Sequence, residues 1–80
     1  MDNLIRVERA RKRLTQAELA MGVGVSRQTI HHLENKKFIP SITLSLRIAL
    51  YLNVDVEYLF TLEENDFIVL KKKTARIIKY

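Results

Sequence analysis

Arg27, Gln28, His31 and His32 carry the most chemistry in this chain, and they fall within one short run, Arg-Gln-Thr-Ile-His-His-Leu-Glu. Arginine can donate two hydrogen bonds to guanine O6 and N7, and glutamine can match adenine N6 and N7. Histidine donates or accepts, with a charge that its surroundings set near neutral pH. At 100° per residue the four share an arc of about 140° on one side of a helix, while Ile30 and Leu33 fall on the other. Such a helix reads base edges in the major groove. Its bland alternative is a solvated helix face, on which arginine and glutamine are common.

Catalysis has little to stand on. The chain has no cysteine and two histidines, so thiolate chemistry and cysteine-based zinc sites are excluded, and no metal site or cofactor is expected. Asp2, Glu8, Glu18 and Glu34 read as caps or helix-surface acids with no convergent set. No Ser-His-acid pattern or glycine-rich phosphate cradle accompanies them. An enzyme is not expected.

The elements that must position the four side chains are legible from caps and periodicity. Asp2 or Asn3 can cap a first helix to about Lys12, with Leu4, Val7 and Ala10 at helical spacing and Ile5 as a second line. Thr15 caps the second helix and Glu18 completes a capping box, with Leu14 and Leu19 as a hydrophobic staple. Ala17, Leu19, Ala20 and Val23 offer a small packing face. Gly22 inside this helix costs up to ~1 kcal/mol relative to alanine. Gly24 suits the sharp turn that follows. Ser26 caps the third helix, which runs to about Glu34, and Asn35 is expected to end it in a left-handed conformation. Pro40 and Ser41 start a fourth helix to about Leu52, whose buried stripe is read as Ile42, Leu46, Ala49 and Leu50, widened by Leu44 and Ile48. Asn53 fits its end. Asp55 caps a short fifth helix, Val56 to Phe60, with Leu59 and Phe60 as core anchors.

After Thr61 the composition shifts. Phe67 to Leu70 and Ala75 to Tyr80 are rich in β-branched and aromatic residues and read as a weak hairpin around Lys71 to Thr74. A helix extension or loose tail competes with that reading. A division is expected at 1–62, the segment that holds the helix with the base-matching face and would bind DNA, and 63–80, a C-terminal extension.

Eighty residues with a net charge of +5 make one small basic domain, suited to a polyanion partner. Arg6, Arg9, Arg11, Lys12 and Arg13 cluster early, and Lys71, Lys72 and Lys73 form a second block. No apolar run approaches the ~20 residues of a membrane span. The first residues show no signal-peptide pattern, so an intracellular, cytoplasmic setting is expected.

The string Leu-Thr-Gln-Ala-Glu-Leu-Ala from Leu14, then Gly24, Val25-Ser-Arg-Gln-Thr-Ile30, Leu33-Glu-Asn35, Pro40-Ser41 and the span from Ile48-Ala49 to Leu59-Phe60 occur in a telling order. Over residues 4–62 this resembles the phage-repressor and Cro type of helix-turn-helix domain, the XRE family, in its short stand-alone regulators. The resemblance implies an all-α, compact five-helix bundle with the helix-turn-helix at about 15–34. It places base contacts at Arg27, Gln28, His31 and His32, and a phosphate clamp at Gln16. Asn35 and Lys37 would be further backbone contacts, and Arg9 would pair structurally with Glu34. The family often has glycine where this chain has Arg13 and Lys36. Arg13 is then a candidate phosphate contact, and Lys36 suggests that Asn35 carries the awkward backbone angle.

The expected function is therefore sequence-specific binding of double-stranded DNA by a homodimer acting as a transcriptional repressor. The extension is a candidate dimer surface, or a cover for the open end of the bundle. A rival reading is an antitoxin-like module whose residues 66–80 engage a protein partner. RNA is less favoured, because no aromatic stacking platform is evident.

Overall fold

The computed structural model describes residues 1–67. The expected hairpin and most of the extension lie outside these residues. Five helices pack around one core: α1 (Ile5–Arg11), α2 (Gln16–Val23), α3 (Arg27–Glu34), α4 (Ile42–Leu52) and α5 (Val56–Leu59). Ile5, Leu19, Ile30, Leu33, Ile48, Leu52 and Leu59 are fully buried in it. Two short strands, β1 (Asp2–Asn3) and β2 (Phe60–Thr61), pair antiparallel with Asp2 opposite Thr61 and Asn3 opposite Phe60. A 3-10 turn, Glu64–Phe67, follows.

Local rules account for the helix starts. Thr15 Oγ1 accepts from the Glu18 amide at 3.0 Å, while Glu18 Oε1 accepts from the Thr15 amide at 2.9 Å. Ser26 and Ser41 each accept from an amide three residues on, at 3.1 Å. Each such cap contributes ~1 kcal/mol. The first helix differs from expectation: Asn3 sits in β1 and Leu4 occupies the cap position, although Asn3 Oδ1 still accepts from the Ile5 amide at 3.2 Å. The fifth helix stops at Leu59, because Phe60 turns extended to join β2.

Helix ends share one device. After α1, α2, α3 and α4 the chain makes a pair of backbone bonds, such as Leu14 N–H to the Arg9 carbonyl at 2.9 Å with Arg13 N–H to that of Ala10 at 3.1 Å. This double closure requires a left-handed residue at its hinge. Gly24 (φ 77°) and Asn53 (φ 56°) fill two hinges as expected, but Arg13 (φ 55°) and Lys36 (φ 59°) fill the other two. The expectation for Asn35 is corrected: its φ is −90°, because Lys36 N–H bonds to Leu33 and Lys37 N–H to His32, which puts the hinge one residue later.

Two packing expectations also fail. In α4, Ile42 (79 %), Leu46 (51 %) and Leu50 (82 %) are exposed, and the buried side is Ser45, Ile48, Ala49 and Leu52. Ser45 is tolerated inside because its hydroxyl donates to the Ser41 carbonyl at 2.9 Å. In α1, Val7 and Ala10 face outward, and Ile5 and Glu8 are the buried pair. Ala17 is likewise exposed. Gly22 faces the ring of Tyr51 on α4: a Cβ there would lie 2.3 Å from it. Glycine thus lets the ring lie across α2. The Arg47 guanidinium, also from α4, donates to the Val23 carbonyl, so α2 ends under two side chains of α4.

Candidate nucleic-acid interface

α3 is anchored from within. Ile30 and Leu33 are wholly buried, and removing each from water contributes about 1.5–3 kcal/mol. That anchoring fixes the rotation of the helix. Arg27, Gln28 and His31 are exposed on its other side, and His32 is half-buried beside them. The two imidazole rings are 5.8 Å apart between centroids. Among the described residues, Arg27 and Gln28 have no hydrogen-bond or ion-pair partner. They are two donors held out on a rigid rod.

Behind this face lies a polar cluster centred on Glu34. Its side chain is 0 % exposed. Arg9 grips it twice, Nε to Oε2 at 2.7 Å and Nη2 to Oε1 at 3.1 Å, and also donates to the Leu14 carbonyl at 2.8 Å. Gln16 Nε2 donates to Oε1 at 3.0 Å, and Arg6 Nε lies 3.6 Å away. Burial pushes the Glu34 carboxyl upward, but the guanidinium of Arg9, the Gln16 amide and Arg6 together hold it below the usual carboxylate range. The same contact raises Arg9, against the opposing effect of burial. Three helices, α1, α2 and α3, are thereby tied at one carboxylate.

The residues expected at phosphates fall around this cluster. Gln16 spends one amide hydrogen on Glu34 and keeps a second for another acceptor. Asn35 accepts from Arg6 at 3.3 Å and donates to the His31 carbonyl at 3.0 Å. Arg13, at the hinge before α2, and Lys37, past the end of α3, are exposed and unpaired among the described residues. Lys36 is different. It turns to Glu63 at 3.2 Å and Asp2 at 3.9 Å.

The sequence pattern described as helix-turn-helix matches residues 5–59. The chain belongs to the helix-turn-helix family. It is similar to an uncharacterized HTH-type transcriptional regulator of Methanocaldococcus jannaschii, 41 % identical over 66 residues, covering 82 % of this chain and all of that one. A second such regulator, from Methanothermobacter thermautotrophicus, is 47 % identical over 66 residues, 81 % of this chain and 96 % of the relative. YgzD of Bacillus subtilis, also an uncharacterized HTH-type transcriptional regulator, is 36 % identical over 66 residues, 82 % of this chain and all of the relative. The helix-turn-helix protein is thus transcriptional-regulator-like and of a non-catalytic class, with DNA as the partner that its fold implies. No described helix is long and apolar enough to cross a membrane.

Sequence reasoning missed two members of the polar architecture. Arg6 joins the Glu34 cluster, and its place three residues before Arg9, on one helix face, was the available signal. Glu8 has the sequence setting of a cap or helix-surface acid, but it is 3 % exposed and accepts from Tyr58 Oη at 2.6 Å. The Tyr58 hydrogen bond lowers the Glu8 carboxyl, and nearby Arg11 and Lys12 add to the effect against burial. No local pattern links residues fifty positions apart.

Proposed function

We propose that this protein is a sequence-specific regulator that binds double-stranded DNA by laying α3 in the major groove. The observation that carries the reading is the outward pair Arg27 and Gln28, unpartnered among the described residues, on a helix whose opposite side is locked by Ile30 and Leu33. Arg27 and Gln28, with His31 and His32 a turn later, contact base edges. Gln16, Arg13, Asn35 and Lys37 contact the sugar-phosphate backbone and set the pose of α3. Arg9 and Glu34 tie α1 to α3, with Gln16 bringing α2 to the same carboxylate, and the pair touches no base.

Two copies bind as a homodimer to half-sites about one helical turn apart, ~34 Å. One module offers too small an interface for tight selective binding, and a second doubles it. The outcome of occupancy is repression, since a bound dimer denies that stretch of duplex to other proteins.

Selection from random duplex DNA at a stated salt concentration tests this reading. The wild-type chain enriches one roughly palindromic motif. Arg27→Ala with Gln28→Ala loses that motif and keeps salt-sensitive, non-selective binding. An unchanged motif in the double variant overturns the base contacts.

A further inference from the structure

His31 has a side chain set against it at the end of α3. The Asn35 amide nitrogen Nδ2 meets residue 31 twice, 3.0 Å from its carbonyl and 3.3 Å from its ring nitrogen Nε2. At the other end of the same amide, Oδ1 accepts from Arg6 Nη2 at 3.3 Å. Arg6 Nε in turn stands 3.6 Å from the closed-off carboxylate of Glu34. A line of polar contacts thus runs from the buried acid to the exposed ring.

The partners at the two ends of the amide settle which end is which. A guanidinium only donates, and a carbonyl only accepts. The atom beside Arg6 is therefore the oxygen, and the atom beside the His31 carbonyl is the nitrogen. That nitrogen carries two hydrogens. One goes to the carbonyl and the second to Nε2. Nε2 must then be bare, which in a neutral imidazole puts the hydrogen on Nδ1. Nδ1 has no hydrogen-bond partner among the described residues, and His31 is exposed. In water a neutral histidine ring favours the opposite form, with hydrogen on Nε2, so this arrangement is one that Asn35 imposes.

We propose that Asn35 is a positioning residue that fixes His31 with its hydrogen on Nδ1, so that the ring offers a base edge a donor and no acceptor. The inference rests on the DNA-binding reading of α3 and adds a rule of selection to it. In the major groove guanine exposes acceptors at N7 and O6, adenine at N7 and thymine at O4, whereas cytosine exposes only its N4 amino donor. A donor set against a donor leaves both unsatisfied. His31 therefore rejects cytosine on the strand it faces. Both amide hydrogens go to residue 31, so the contact of Asn35 with the sugar-phosphate backbone is one of packing.

Two measurements on the full chain test this. Long-range nitrogen–proton spectra of the free protein in mildly alkaline buffer distinguish the two neutral forms of a histidine ring, and His31→Ala identifies the signals of residue 31. The wild-type ring shows hydrogen on Nδ1, and in Asn35→Ala the form with hydrogen on Nε2 predominates. A wild-type ring with hydrogen on Nε2, or one that Asn35→Ala leaves unaltered, overturns the inference. Selection from random duplex DNA is the second measurement, with His31→Ala marking the motif position that the ring reads. Cytosine is depleted there about ten-fold by the wild-type chain and returns in Asn35→Ala, while the positions read by Arg27 and Gln28 keep their bases. Cytosine accepted by the wild-type chain, its continued exclusion in Asn35→Ala, or a motif that His31→Ala leaves unchanged overturns the rule of selection. A chain that enriches no motif at all overturns the DNA-binding reading and the rule with it, and the ring spectra still decide what Asn35 does.

Discussion

Arg9 and Glu34 meet side-on, with Nε 2.7 Å from Oε2 and Nη2 3.1 Å from Oε1, and the carboxylate they share with Gln16 is closed to solvent. A bidentate pair of this kind fixes angle as well as distance. Residues 25 positions apart in sequence therefore set how α3 leaves the motif.

Removing one member leaves the other stranded. Glu34→Gln leaves Arg9 without its counter-charge, and Arg9→Ala leaves a closed-off carboxylate. Each is expected to cost about 3–5 kcal/mol, measured by urea unfolding at neutral pH. A loss under about 1 kcal/mol would mean that water reaches the pair.

Acid should unfold the protein through its two closed-off carboxylates. Glu34 and Glu8 are both held below their ordinary values. A depressed folded value means stability that is fully present above the unfolded carboxylate range, near pH 4.3, and lost as pH falls through the lower folded value. Melting temperature is expected to be flat from pH 7 to about 5 and to fall below that. Glu34→Gln should show a shallower acid limb than wild type. An equal limb in both would remove Glu34 from the linkage.

Arg13 holds a left-handed hinge at φ 55° that costs a side chain about 1–2 kcal/mol. Glycine relieves this and loses part of the gain to its freer unfolded chain. Arg13→Gly is therefore expected to stabilise the fold by about 0.5–1 kcal/mol. If Arg13 contacts a phosphate, the same change lowers the slope of log K against log salt by about 0.9. Unfolding and DNA titration on one variant thus separate the two roles, and a slope unchanged from wild type would refute the phosphate contact.

Gly22 and Tyr51 should be coupled. The clash that a Cβ would meet is with the far end of a partly exposed ring, which can swing away. Gly22→Ala in a Tyr51→Ala background is expected to gain close to the full ~1 kcal/mol of helix propensity, and less with the ring in place. A double-mutant cycle with no interaction energy would show that the ring does not need the glycine.

The legible parts of this fold were those that residue type announces. Thr15, Ser26 and Ser41 advertise helix starts, and Gly24 and Asn53 advertise hinges. Arg13 and Lys36 do the same work under no such sign, which is why the left-handed residue after α3 was expected one position early. Helix α4 failed differently. Ile42, Leu46 and Leu50 form one apolar line, and Ile48, Ala49 and Leu52 belong to another. Periodicity cannot choose between two apolar faces on one rod. Only the neighbours decide, and they bury the line that includes Ser45. The polar side of α3 was readable because Ile30 and Leu33 leave no such choice. The burial of Glu8 depends on Tyr58, brought in by tertiary packing alone.

The two-residue ladder joining Asp2 and Asn3 to Thr61 and Phe60 has a kinetic meaning. Closing a ring of nearly sixty residues costs much more chain entropy than any helical turn within it. The helices can therefore assemble first, with the clasp fastened late. Loosening that clasp should shorten the lifetime of the native state while leaving the speed of its formation nearly untouched.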